Sequence, residues 1–227
     1  MIQVPEKKEG EKYGFEELYD IIRKLRSPEG CPWDREQTHL SLIKPMIEEA
    51  YETVDAIEKN DTTKMTEELG DVLLQVIFHS IIGEEDGAFE FADITDRCAR
   101  KMLSRHTHIF GNEHAENANE ALANWDAAKL KEKGFSDLRE DLDDIPRCFP
   151  ALMRAGKVAK KIRKADGVYE CPESAEALLN RDAEEDILCD EETVGAVLYE
   201  ICRIAEKNGV DAELALRRYT DRVIEKN

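Results

Sequence analysis

TEELGDVLLQVIFHSII, residues Thr66 to Ile82, is the stretch on which the fold turns. From Val72 to Ile82 it is apolar almost all the way round, the pattern of a buried helix. Its polar residues are not scattered. Glu68, Asp71, Gln75 and His79 fall on one narrow stripe of the helical wheel. The apolar residues from Val72 to Ile82 spread over the rest of the circumference. Ionised carboxylates are costly to bury without a partner. Three readings follow: the stripe lies on a wet edge, it forms a hydrogen-bonded network around Gln75 and His79, or something positive is held against it.

Working outward, the other long segments also have helical periodicity. Phe15, Leu18, Ile21, Ile22 and Leu25 mark a first amphipathic helix, which stops before the loop SPEGCPWD, Ser27 to Asp34. A second helix is predicted from Pro45 to Lys59, with Ile47, Ala50, Tyr51, Val54 and Ile57 on its apolar face. The short polar connection KNDTT makes it an antiparallel neighbour of the opening helix. Further helices are expected over Asp93 to Arg105, up to Gly134, over Phe149 to Lys164, and from Glu191 and Asp211. No β-rich segment is evident, and the fold class is all-α. SDLREDLDDIP, Ser136 to Pro146, reads as an acidic linker, which divides the chain into 1–135, a linker at 136–148, and 149–227. GDVLL at Gly70 to Leu74 resembles GAVLY at Gly195 to Tyr199, a faint repeat that suggests two related helical units.

Composition narrows the function. Fifty-one acidic against 32 basic residues give a net charge of -19, which argues against nucleic acid as a partner. No apolar run approaches the roughly 18 residues of a membrane helix. The start, MIQVPEKKEGEKYG, lacks the apolar core of a secretory signal. Six scattered cysteines without a CxxC pair suit reduced thiols, so a cytoplasmic location is expected. Cys31, between Gly30 and Pro32, reads as packed rather than reactive.

The carboxylates carry the chemistry. Glu48, Glu49 and Glu52 lie opposite the apolar face of the second helix, and an ordinary solvated outer face is one reading of them. The other pairs Glu49 and Glu52 with Glu68 and Asp71 across the antiparallel helices. Four such groups repel one another unless cations are bound. An all-oxygen set suits a hard ion, Mg²⁺ with Mn²⁺ as an alternative, rather than zinc. A di-iron site needs paired ExxH motifs, and the one at Glu36 and His39 has no twin. Arg97, Lys101, Arg105 and His108 recur as a basic stripe in this acidic chain. Such a stripe either forms surface salt bridges or meets the phosphates of a metal-bound polyphosphate ester.

GCPWD (Gly30 to Asp34) with Gln37 and Thr38, EEAYE (Glu48 to Glu52), EELGD (Glu67 to Asp71), KMLSRHTHIFG (Lys101 to Gly111), and Asn124, Trp125 and Lys129 follow one another in order. Together they resemble the MazG nucleoside triphosphate pyrophosphohydrolases. The resemblance implies an all-α, usually dimeric enzyme that splits nucleoside triphosphates into monophosphate and pyrophosphate with Mg²⁺. It implies Glu49, Glu52, Glu68 and Asp71 as metal ligands, with Glu48, Glu49 and Glu52 as the catalytic acids of their motif. Lys101 and Arg105 match positions that meet phosphates. Asn124, Trp125 and Lys129 match a segment near the substrate, where the indole stacks on a base or serves as core. Two rivals stand beside this: a non-catalytic nucleotide-sensing or partner-binding helical dimer, and a specialised relative acting on one nucleotide.

The chain departs from the family pattern twice. Thr107 stands where a proline usually separates the histidines of RHPH. In the second unit, aligned on glycine, Thr193 faces Glu68 and Ala196 faces Asp71, and a one-residue slip would put Glu192 at the Glu68 position. An ExxE survives at Glu173 and Glu176, yet the second unit is expected to have lost its metal site.

Overall fold

The computed structural model describes residues 7–165 and 190–225, with the side chains of 220–225 excluded. The described residues form helices and no strand. In chain order these are α1 Phe15–Arg26, α2 Pro32–Glu36, α3 Ile43–Glu58, α4 Thr62–Glu85, α5 Phe91–Arg105, α6 Thr107–Phe110, α7 Ala118–Lys133, α8 Leu138–Asp143, α9 Ala151–Lys164, α10 Glu191–Lys207 and α11 Ala212–Glu225. They group into two compact units, Met1–Trp125 and Asp126–Asn227, with the boundary inside α7.

In the first unit, α1 starts where the Gly14 N–H donates to the Glu17 carboxylate at 2.7 Å. It buries Tyr19 and Ile22 against Ile77, Phe78, Ile81 and Ile82 of α4, with Leu42 completing the core. The loop that follows folds back tightly. A Cβ on Gly30 would lie 2.1 Å from the Leu25 carbonyl oxygen, so only glycine fits there. Buried Arg26 fixes this loop to the far end of α4. Its guanidinium is bidentate to Glu85, at 3.1 and 2.6 Å, and donates to the carbonyls of Asp34 at 2.5 Å and Gln37 at 3.1 Å. The loop also holds a helix the periodicity did not reveal, α2, which opens on Pro32.

The α3–α4 connection is built from its own residues. Asn60 takes φ 54°, a left-handed conformation that asparagine tolerates. Asp61 then caps α4, accepting from the N–H groups of Thr63 and Lys64 at 3.1 and 3.0 Å. The two helices run antiparallel side by side, as the short connection implies.

Of the two readings of this helix, the one that turns Glu49 out to solvent does not hold. The apolar face of α3 does not point to the core: Ile47 is 51% exposed and Tyr51 48%, with Ile57 also open. Thr53 and Ala56 are the α3 residues that are buried, and they turn Glu49 inward with them. Helices α1 and α5 pack on the apolar residues of α4, and the side of α3 that carries Glu49 and Thr53 faces the Glu68 and Asp71 end of its polar stripe.

Beyond α4, α5 ends at Arg105, so His108 lies on the separate helix α6 and not in one stripe with Lys101 and Arg105. Thr107, at the first position of α6, donates its hydroxyl to Glu113 and so ties down the turn where a proline would have restricted it. Gly134 closes α7 with φ 62°.

In the second unit, residues 136–148 include α8, which packs on α9 through the ion pair of Lys161 with Asp141 at 2.6 Å. Helices α9 and α10 form the main pair, tied by Arg163 to Glu206 at 2.6 Å. The repeat is visible in burial. Glu68, Gln75 and Ile77 are buried in α4, and Thr193, Glu200 and Cys202 are buried at the same register in α10. Glu192 is exposed, so the glycine alignment holds without a slip. Glu173 and Glu176 lie outside the described residues.

Candidate active site

Three carboxylates converge between α3 and α4. One oxygen each from Glu49, Glu68 and Asp71 lies within 4.8 Å of the others. Glu68 and Asp71 occupy neighbouring turns of α4, in a phase set by the Asp61 cap. On α3 the Thr53 hydroxyl donates back to the Glu49 carbonyl at 2.8 Å and is itself buried against α4. Glu68 is only 4% exposed, and Glu49 and Asp71 are half-buried.

The electrostatics follow from this crowding. Burial, then the charges of Asp71, Glu52 and Glu68, hold the Glu49 carboxyl above the usual carboxylate range. Burial and then Glu52 raise Glu68, partly offset by Lys64, whose Nζ lies 3.7 Å from Glu68 Oε1. Glu52 is exposed beside the three, close enough for its charge to act on both neighbours. Glu48 is exposed and ion-paired with Lys44 at 3.1 Å. Of the five acids picked from the sequence, three are therefore brought together, one stands beside them, and one is engaged elsewhere.

The rest of the α4 stripe divides. His79 Nδ1 meets His39 Nδ1 at 2.7 Å, with the rings stacked 5.0 Å apart and 9° from parallel. Burial and the neighbouring His39 hold the His79 pKa below its usual value. Gln75 is buried and its Oε1 has no hydrogen-bond partner, so a closed network around Gln75 and His79 does not account for the stripe. The pairing of His39 with His79 and the place of Lys64 beside Glu68 escaped sequence reasoning. His39 sits in a loop without periodicity, whereas Lys64, one turn before Glu68, was legible from spacing alone.

Of the substrate-side candidates, Arg105 and Trp125 are brought together. Arg105 is buried, with its guanidinium 5.4 Å from the Trp125 ring centroid. His106 meets the same indole edge-on at 4.8 Å. Asn124 donates to the His114 carbonyl at 3.1 Å. Lys101 is exposed on α5. Lys129 falls on the part of α7 that belongs to the second unit, where its charge helps hold Asp144 low, after Lys133.

The donor set fits a divalent cation. It is all oxygen, carries excess negative charge in a confined space, and contains no thiolate or imidazole that would favour a softer ion. Among the described residues, no helix is long and apolar enough to cross a membrane.

The sequence profile of the MazG nucleotide pyrophosphohydrolase domain matches residues 37–110, a span that includes Glu49, Glu68, Asp71, Lys101 and Arg105. The chain is 38% identical over 221 residues to the nucleoside triphosphate pyrophosphohydrolase of Escherichia coli strain K12, covering 92% of this chain and 83% of that protein. It is 38% identical over 219 residues to the nucleoside triphosphate pyrophosphohydrolase/pyrophosphatase MazG of Thermotoga maritima, covering 93% of this chain and 83% of that one. Bacillus subtilis strain 168 YabN, described as uncharacterized, is 47% identical over 146 residues, 64% of this chain and 30% of YabN.

Proposed function

The chain belongs to the MazG nucleotide pyrophosphohydrolase family, and on that footing we propose that it hydrolyses nucleoside triphosphates to the monophosphate and pyrophosphate with Mg²⁺. The observation that carries this reading is the convergence of Glu49, Glu68 and Asp71 within 4.8 Å between α3 and α4. These three would hold the cation, with Glu52 beside them. Bound there, Mg²⁺ or Mn²⁺ supplies positive charge for phosphate oxygens and makes water more acidic.

The remaining work falls to side chains. Water adds to the α-phosphorus and the bond to the α,β-bridging oxygen breaks, so that oxygen leaves with pyrophosphate. Glu52, exposed and negatively surrounded, is available to accept the proton of the attacking water. Glu48 acts more remotely, because Lys44 holds its carboxylate. Lys101 and Arg105 would neutralise phosphate oxygens, and the Trp125 indole keeps the Arg105 guanidinium from wandering. Asn124 remains assigned to the substrate side on the motif it matches, whereas Lys129, which the same motif offers, belongs to the second unit. We assign catalysis to the first unit alone, because α10 offers Thr193 and Ala196 where α4 offers Glu68 and Asp71, and its buried Glu200 is already paired with Arg203 at 2.5 Å.

A homodimer completes the proposal. The outer face of α3, with Ile47, Tyr51 and Ile57, is an apolar stripe that a second copy of the same helix would cover.

Pyrophosphate release from a panel of nucleoside triphosphates tests the activity. Wild type with Mg²⁺ should turn over, and Asp71→Asn should lose at least about 100-fold in kcat. Nucleotide binding without turnover in wild type would favour a sensor. Full activity in Asp71→Asn would refute the site.

A further inference from the structure

We propose that Lys64 is the resident counter-cation of the carboxylate site, competing with a divalent cation for Glu68 and thereby setting how tightly the site binds metal. This rests on reading Glu49, Glu68 and Asp71 as cation ligands.

The geometry of the pair suggests a charge that is present but releasable. Lys64 Nζ stands 3.7 Å from Glu68 Oε1, within Coulombic reach yet beyond hydrogen-bond length. The lysine precedes the glutamate by one turn, the weaker of the two orders for such a helical pair. The partners are also unequal in their access to water. The Lys64 side chain is 42% exposed and that of Glu68 is 5% exposed. Lys64 can therefore swing into solvent at little cost, whereas Glu68 stays with the cluster. Its backbone does not move with it, because the Lys64 N–H is held by the Asp61 cap.

The surroundings make the charge matter. Glu52, Glu67 and Asp71 all add repulsion at Glu68, and Lys64 opposes them. A divalent ion entering among Glu49, Glu68 and Asp71 supplies the same compensation more strongly and repels the ammonium. Lys64 thus lowers the apparent metal affinity. Lys44 is a control of equal charge. It pairs with exposed Glu48 on α3, outside the three converging oxygens.

The test is a titration of the full chain with Mn²⁺, following the free ion by electron paramagnetic resonance. Lys64→Met should tighten Mn²⁺ binding about five- to tenfold, whereas Lys44→Met should stay within about twofold of wild type. Lys64→Gln serves as a second variant, and circular dichroism checks that each protein is folded. Unchanged or weaker binding in both Lys64 variants overturns the inference. So does equal tightening in Lys44→Met, which would reduce the effect to net charge. A wild type that takes up no Mn²⁺, or an Asp71→Asn variant that binds as wild type does, overturns the cation site itself and Lys64's role with it.

Discussion

Glu84 and Glu68 stand near opposite ends of α4, both shielded from water, and their carboxyls are shifted in opposite directions. Burial pushes Glu84 up, but the Tyr19 hydroxyl at 2.6 Å and Arg23 at 2.8 Å donate to it and hold it below the usual range. A lowered carboxyl contributes stability that is present above its unfolded pKa and is lost as pH falls through the folded value. Glu84→Gln should therefore cost about 1–2 kcal/mol at neutral pH, and urea unfolding should show that gap closing as the pH drops below the carboxylate range. Glu49 and Glu68 carry the other sign. Their raised values oppose folding once the pH passes the ordinary carboxylate pKa, and a bound cation would remove that penalty.

At the scale of the element, the α3–α4 hairpin depends on three consecutive residues, Lys59, Asn60 and Asp61, which end one helix and start the next. Asp61→Ala removes the acceptor of two N–H groups and should cost about 1 kcal/mol in chemical denaturation, with the loss felt in the turn that carries Lys64 and Glu68. Much of this hairpin was legible beforehand: both helices, their antiparallel pairing, and the acids that meet. The orientation of α3 was left open between two readings. Periodicity tells that Ile47 and Tyr51 share a face, but not whether that face meets the same chain or another one. Short helices were missed for a different reason, because the five residues of α2 and the four of α6 barely complete one helical turn. At the site, Glu49, Glu68 and Asp71 were found through motif spacing, whereas the His39–His79 contact joins a loop to a helix far along the chain, which no local pattern encodes.

For the whole molecule, the proposed homodimer places the outward stripe of α3 at its interface. Ile47→Glu should shift the protein to monomers in sedimentation velocity while leaving its circular dichroism intact, since the residue is half exposed in the isolated unit. The second unit raises a different matter. Its helix α10 keeps the buried register of α4, with Thr193, Glu200 and Cys202 where α4 has Glu68, Gln75 and Ile77. Where α4 carries the site acids Glu68 and Asp71, α10 carries a hydroxyl and a methyl group, and it packs on α9 nonetheless. The chain thus contains its own mutagenesis control. A helix of this architecture assembles without either carboxylate, so a substitution at Asp71 interrogates the chemistry and leaves the scaffold standing.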